Sequence, residues 1–431
     1  MATAPTVAVI GGGYAGMATA VSLAAQNISV TVFEAGKQPG GRARRVDHQN
    51  TALDNGLHIL SGAYSETLRL ICLVNPQHES ALLRIPLAWH MHREFDLVAP
   101  RLPAPLHLLI ALLGARGAGL GERFAIIRFI AELKRADFCL AVDCSVEQLL
   151  GYFKQSDFMQ RVFWRPLCVA ALNTPPAIAS AQVFINVLRD TLNASREASD
   201  LLLSRVDLSA LFAEPAAAFI ARHGGNIRLG TRVTALEPLD AGFAVEASGE
   251  RAAFSHVVCA LPPHQVGAFI DGIPALAGAA TMIAQFRYQP IYSVWLQYPS
   301  PVTLPHPMLG FADGPLHWLF DRGTLCGQSG LIGAVISAEG AHQELTQDEL
   351  GALAQSEIAR RIGGLPPPQW VRVIAEKRAT FACTPGLQRP TSVTPLKNFY
   401  LAGDYTASEY PATLETAVRS GIACAAAITA R

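Results

Sequence analysis

Residues 6–34 leave this chain few folds to choose from. Thr6–Ile10 (TVAVI) is a short β-branched apolar run, as expected of a strand covered on both faces. It runs into Gly11-Gly12-Gly13-Tyr14-Ala15-Gly16, then a helical pattern over Met17–Gln26, then a second strand over Ser29–Phe33 that ends at Glu34. Strand, glycine turn, helix and strand in so short a span form a βαβ unit, which predicts an α/β fold with a parallel sheet. In the turn, Gly11 permits the tight bend. Gly13, with Tyr14 and Ala15 opening the helix, lets the backbone approach a pyrophosphate. Gly16 lets helix and strand pack closely, and Ala20 extends that small face one turn on. The helix N-terminus adds unpaired N–H groups and a positive dipole end. Glu34 follows Gly11 by 23 residues, where a carboxylate accepts hydrogen bonds from ribose hydroxyls and repels the extra phosphate of NADP. The unit reads as a dinucleotide site.

Later residues point to the kind of dinucleotide. Glu34-Ala35 is followed by Gly40-Gly41-Arg42, whose glycines bring a guanidinium back towards the same pyrophosphate. Near the other end, Leu401-Ala402-Gly403-Asp404 sets a second acid after a strand. The final helix opens at Ala412-Thr413-Leu414-Glu415. A nicotinamide enzyme has no need of partners so far along the chain, whereas a flavin must be held along its ribityl chain and at its ring. The N-terminus of that last helix would meet the N1/O2 edge, where charge gathers on reduction. Taken alone, Gly403-Asp404 also reads as a strand-ending turn. The nearest look-alike, Gly117-x-Gly119-x-Gly121, follows no strand and lacks the spacing, so no second nucleotide site is expected.

The 431 residues suggest two or three domains. With 34 basic against 34 acidic residues there is no bulk electrostatic case for nucleic acid. Charged residues are 16% of the chain, well below the average of about 25%, so much of the surface is weakly polar. This favours an apolar substrate or a membrane-surface habit. The eight cysteines show no CxxC pair, and the nearest two, Cys139 and Cys144, have no histidine pattern beside them. They read as reduced, mostly buried thiols of a cytoplasmic protein without a metal site. The apolar run Leu106–Ala115 lies between Arg101 and Arg116 and has about half the roughly twenty residues a membrane span needs. The uncharged stretch Pro166–Leu188 is broken by Pro175 and Pro176. No span is expected. With Glu122–Phe138, which mixes apolar and basic residues, Leu106–Ala115 reads either as a pair lying on the inner membrane surface or as ordinary core-packed helices.

At this point the residues carry a resemblance. The N-terminal unit, Glu34 and Gly40-Gly41-Arg42 resemble the superfamily of flavin-containing amine oxidases and carotenoid desaturases. Asp54-Asn55-Gly56-Leu57-His58-Ile59-Leu60-Ser61-Gly62-Ala63-Tyr64 and Tyr400–Thr406 resemble the plant-type phytoene desaturases. Phe163-Trp164-Arg165-Pro166-Leu167, Ala170–Pro175, His317–Gly323 and Pro411–Glu415 are similar to the hydroxysqualene dehydroxylases of bacterial hopanoid pathways. The resemblance covers essentially the whole chain. It implies a Rossmann-like FAD-binding domain assembled from both termini and a central segment, with an inserted mixed α+β substrate domain. The composition breaks then put residues 1–76, 216–264 and 385–431 in the first and 77–215 and 265–384 in the second. It also implies that Gly56 and Leu57 touch the cofactor and that Val233 meets the adenine through its backbone.

The reaction implied is loss of water from an allylic C30 alcohol and delivery of hydride from reduced FAD, giving squalene. Such chemistry needs an acid for the departing oxygen and an apolar tunnel that shields the cation from water. The resemblance sets His58 near the flavin ring, where it would titrate near neutrality. Asp321, Glu409 and Glu415 are further candidates. Asp321 is also placed to pair with Arg322 or Arg165, and Glu415 to favour a helix N-terminus. Phe153, Phe158, Phe163, Trp164, Phe184, Trp295, Trp318 and Phe320 are available for the tunnel. The electron donor is open, a separate reductase or free reduced flavin. A carotenoid-type desaturase or isomerase, an amine oxidase and a flavin-binding scaffold without chemistry remain rival readings.

Overall fold

The computed structural model describes residues 4–192, 195–299 and 302–430. Five short strands form one parallel sheet: β1 (Thr6–Ile10), β2 (Ser29–Phe33), β3 (Asn226–Arg228), β4 (His256–Cys259) and β5 (Phe399–Leu401), in the spatial order β3-β2-β1-β4-β5. The first two strands fall where their apolar runs predict. The first helix, α1 (Tyr14–Ala24), starts three residues before the helical pattern, because Gly13 already takes the N-cap position. The alternation across Asn226–Leu236 breaks into β3 and a strand over Val233–Leu239. Between them the amides of Gly230 and Thr231 donate to the carbonyls of Gly36 and Glu34.

The closing helix, α2 (Leu414–Thr429), packs on α1 closely enough that a Cβ on Gly421 would stand 2.2 Å from the carbonyl oxygen of Ala15. Thr19 Oγ donates within that contact, 2.9 Å from Ala15 O and 3.1 Å from Gly421 O. The two ends of the chain are thereby one packed layer on the sheet.

A second, seven-stranded sheet runs in the order Trp370–Phe381, Tyr288–Gln297, Leu331–Ser337, Trp318–Asp321, Met308–Gly310, Ala88–Met91 and Phe95–Val98. The period of two divides its side chains cleanly. Val294, Leu296, Ile332, Ala334, Ile336 and Leu319 form a core with Leu350, Ala354 and Ile358 of the Gln347–Ile362 helix. The other face carries Ile291, Val335, Trp318, Phe320 and Glu376 in register. Residues 77–215 hold, besides their helices, the strands Leu82–Ile85, Ala88–Met91, Phe95–Val98 and Leu201–Ser204. The first and last of these pair with each other, and the last also with Ile59–Ser61, in a small three-stranded sheet.

Gly117 and Gly119 serve the turn between the helices Leu106–Gly114 and Leu120–Arg135. Gly117 sits at φ +92°, where a Cβ would strike Glu94 O at 2.0 Å. All eight cysteines are free. Cys168, Cys259, Cys383 and Cys424 are buried, while Cys72 and Cys139 are exposed. Among the described residues no helix is long and apolar enough to cross a membrane.

Candidate cofactor and substrate site

The turn after β1 is built to be approached. Gly11 adopts φ +110°, and a Cβ there would lie 2.6 Å from Ala260 O. At Gly16 it would lie 2.0 Å from Gly11 O and 3.2 Å from Ala260 Cβ, so this glycine sets the contact of α1 with the sheet. Gly13, by contrast, has open space above it, its nearest neighbour being Gly41 Cα at 3.9 Å. Glu34 is fixed at the end of β2 by the amides of Gly12 (2.7 Å) and Gly36 (2.6 Å).

A single cavity of ≈ 820 Å³ extends from this turn. Its walls include Gly11, Gly13, Tyr14, Ala15, Glu34, Ala35, Gly41 and Arg42 from the N-terminal unit, and Gly56, Leu57 and His58 from the next loop. Val233 enters from the centre of the chain, and Gly403, Asp404, Thr413 and Leu414 from its end. Of the residues assigned to the cofactor from the sequence, Gly16 alone stays behind the wall. Arg42 reaches Asp404 (Nη2–Oδ2 2.8 Å) and the carbonyl of Ala379. The guanidinium expected at a pyrophosphate is thus tied to the acid expected along a ribityl chain. Gly403 N–H donates to Ser420 Oγ (2.8 Å), and Thr413 Oγ caps α2 through Thr416 N–H (3.2 Å).

Two helix N-termini, those of α1 and α2, therefore open on one cavity, with the Glu34 carboxylate at one end and no side-chain cap on α1. A dinucleotide whose far half is a flavin fits this donor and acceptor set: hydroxyls at Glu34, phosphates at the α1 amides, an electron-rich ring edge at α2.

Much of the remaining wall is apolar. The face of the second sheet supplies Ile291, Trp318, Phe320 and Val335, and Leu57 packs onto it where a Cβ on Gly333 would stand 2.6 Å from Leu57 Cδ1. Of the eight aromatics named for a tunnel, Trp318 and Phe320 are in the wall. Trp164, Phe184 and Trp295 are fully buried, and Phe163 packs between Trp89 and Trp164.

His58 faces the cavity, with room made by Gly56, where a Cβ would touch its Cε1 at 3.2 Å. Its Nδ1 lies 2.9 Å from Gly56 O. Nδ1 is therefore assigned the proton, leaving the lone pair on Nε2. Burial, and secondarily the Arg42 charge, hold the imidazole below its ordinary pKa against the pull of the Gly56 carbonyl. It is neutral at pH 7.

The other three acid candidates stand outside the wall. Asp321 pairs with neither Arg322 nor Arg165. It is fully buried and caps the Arg322–Cys326 helix, accepting from Leu304 N, Thr324 N and Thr324 Oγ at 2.9 Å each. Arg322 goes instead to Asp54 (3.5 Å) and Arg165 to Glu147 (3.8 Å). Burial raises the Asp54 carboxyl to about 6, partly offset by Arg322 and the amide of Leu208. Glu409 pairs with Arg189 (3.1 Å). Glu415 accepts from Glu66 N (3.1 Å), Thr67 N (2.9 Å) and Thr67 Oγ (2.8 Å), closing the N-terminus of the Ser65–Val74 helix rather than that of its own.

Sequence reasoning missed Glu376 and His264, both in the cavity wall, and the Asn173–Thr380 pair (2.9 Å), in which Thr380 Oγ accepts and keeps its own proton to donate. Glu376 lies beside Ile291 in the sheet register, a relation that no local pattern carries.

Residues 14–429 match the family "Flavin containing amine oxidoreductase". The chain is 31% identical to the hydroxysqualene dehydroxylase of Rhodopseudomonas palustris over 96% of both chains. It is 25% identical to the zeta-carotene desaturase of Zea mays, covering 96% of this chain and 82% of that one. The solved structure of a putrescine oxidase bound to putrescine superposes along the full length of both chains with a TM-score of 0.73 at 17% identity, a likeness of fold.

Proposed function

We propose that this chain, which belongs to the flavin-containing amine oxidoreductase family and is an FAD-dependent oxidoreductase, converts hydroxysqualene, an allylic C30 alcohol, to squalene. The observation that carries this reading is the likeness to a hydroxysqualene dehydroxylase along nearly the whole of both chains. The apolar sheet face in the cavity agrees with a hydrocarbon substrate.

The C–O bond breaks with its electron pair, the departing oxygen takes one proton and leaves as water, and the allylic carbon gains one hydride. Bound FAD in its reduced form supplies that hydride. In our reading, Glu34 accepts from the ribose hydroxyls, the first amides of α1 hold the pyrophosphate, and the N-terminus of α2 steadies the ring edge. Leu57, Ile291, Trp318, Phe320 and Val335 keep water from the cation. His58 delivers the proton: with Nδ1–H held by Gly56, only Nε2 is free to take up a proton and pass it to the leaving oxygen. A depressed pKa makes its imidazolium scarce but strongly acidic.

Residues 1–76, 216–264 and 385–431 are assigned to the cofactor, and 77–215 and 265–384 to the substrate. A substrate of this kind resides in lipid, so the protein is taken to work at the cytoplasmic membrane surface, drawing electrons from a reductase or free reduced flavin. Anaerobic incubation of the holoprotein with reduced FAD and hydroxysqualene tests the proposal, squalene being the expected product. Turnover of phytoene with oxidised flavin, and none of hydroxysqualene, would replace it with a desaturase. A flavin-loaded protein inert to both would mark a scaffold.

A further inference from the structure

In the helical hairpin Leu106–Gly114 and Leu120–Arg135, the first helix is built inside out. Its single polar side chain, His107, is buried and reaches Ser199 Oγ through Nε2 (3.1 Å), with Ala111 buried on the same side. The opposite face, Leu106, Leu109, Ile110 and Leu113 at helical spacing, is 40–50% exposed. A surface helix of a globular protein does the reverse. Leu120 and Phe124 of the second helix, 66% and 60% exposed, extend the patch. Nothing in the middle of this surface can donate or accept a side-chain hydrogen bond.

Its surroundings are cationic. Between Val98 and Arg135 stand six basic residues against two acidic ones, in a chain whose net charge is zero. Both acids are engaged: Glu122 accepts from Gly119 N–H and Ser156 Oγ, and Glu132 pairs with Arg135. Arg101, Arg116 and Arg128 are exposed, with no ion pair among the described residues.

We propose that this hairpin is a membrane anchor that lies in the plane of an anionic lipid surface, its aliphatic face among the acyl chains and its arginines at the headgroup phosphates. An unbroken aliphatic face bordered by unpaired cations is complementary to that layering.

The hairpin also touches the route inward. Phe129 of the second helix begins a run of packed rings through Trp164, Phe163 and Trp89 to Trp318, with centroids 4.7–5.8 Å apart, and Trp318 is in the cavity wall. That the anchor serves substrate delivery rests on the dehydroxylation reading. The lipid contact itself does not.

The test is flotation of the purified holoprotein with vesicles of phosphatidylcholine, with and without phosphatidylglycerol. The wild type floats, more strongly with phosphatidylglycerol. Leu109→Glu with Leu113→Glu reduces binding to both by about tenfold or more. Arg116→Glu with Arg128→Glu removes the preference for the anionic lipid, about fivefold per arginine. Flavin absorbance and melting temperature check that each variant is folded. The Leu variant should lose turnover on vesicle-borne hydroxysqualene while keeping it on detergent-dispersed substrate. Equal flotation of variant and wild type, no flotation at all, or a lipid-free dimer abolished by the Leu substitutions would each overturn the anchor. Failure of every form on detergent-dispersed substrate would sink the reaction and leave the flotation result standing.

Discussion

His58 combines two properties that pull in opposite directions for an acid. Its geometry is suited to proton delivery, because Gly56 O fixes the tautomer, leaving Nε2 as the free ring nitrogen of a residue in the cavity wall. Its surroundings disfavour the charged form, burial most of all. The sign of the pH dependence follows. The protonated fraction grows as pH falls through a pKa below 6.5, so kcat/KM should climb from pH 8 towards pH 5 and level off only below the depressed pKa. His58→Ala should retain flavin, lower turnover by about 10²–10⁴-fold and flatten that limb. An unchanged rate, or a limb that survives the substitution, removes His58 from the mechanism. Glu376 is the control at the same scale. Its charge acts on Arg42 and His264, at the cofactor end of the cavity. Glu376→Gln should therefore weaken flavin retention and leave the acid limb in place. Loss of the limb in that variant would transfer the acid role to it.

At the scale of elements, one of the further acid candidates, Glu415, holds two helices together. Glu415 sits in the first turn of α2, yet its oxygens close the N-terminus of the Ser65–Val74 helix, with Arg419 alongside at 2.7 Å. Removing it leaves the buried Thr67 amide and hydroxyl without acceptors. Glu415→Ala should destabilise the protein by about 2–4 kcal/mol, read by denaturant unfolding, with kcat per folded flavin site kept. A fall in kcat with unaltered stability would return Glu415 to the chemistry. The case shows where sequence reasoning stops. β1, β2 and α2 are legible because each carries its own signal: a short apolar run, a glycine turn, a capped helix start. The cavity-wall residues that lie within those motifs are legible with them, whereas Gly56, Leu57 and Val233 came from the resemblance and not from a local pattern. The strand Trp370–Phe381 is not legible, because Arg372, Glu376, Lys377 and Arg378 interrupt its alternation, as suits a strand at a sheet edge. Glu376 was missed with it. Aromatic side chains misled for the opposite reason: Phe163, Trp164 and Trp318 are alike in sequence, and only the register of Trp318 against Val335 turns it to the cavity.

For the whole molecule, the consequence to be measured is that the cofactor site and the sheet are assembled from the same distant segments. β1 and β2 come from the first 33 residues, β3 and β4 from 226–259, and β5 with α2 from 399–429, and each group contributes to one cavity wall. FAD bound to the folded form alone stabilises it by about 4 kcal/mol at a thousandfold excess over Kd. With an unfolding entropy of about 2 cal/mol/K per residue, a chain of 431 residues should then melt about 4–5 °C higher with flavin than without. Stabilisation alone does not distinguish a ligand that clamps both termini from one resting on the N-terminal unit. Hydrogen exchange does. Adding FAD to the apoprotein should protect amides of 6–33 and of 399–429 together, because α1 and α2 cannot separate without breaking the Thr19–Gly421 contact. Protection confined to the N-terminal unit, with α2 exchanging as before, would mean that the end of the chain folds against the sheet without holding the flavin. The assignments of Gly403, Asp404, Thr413 and Leu414 would then fall together.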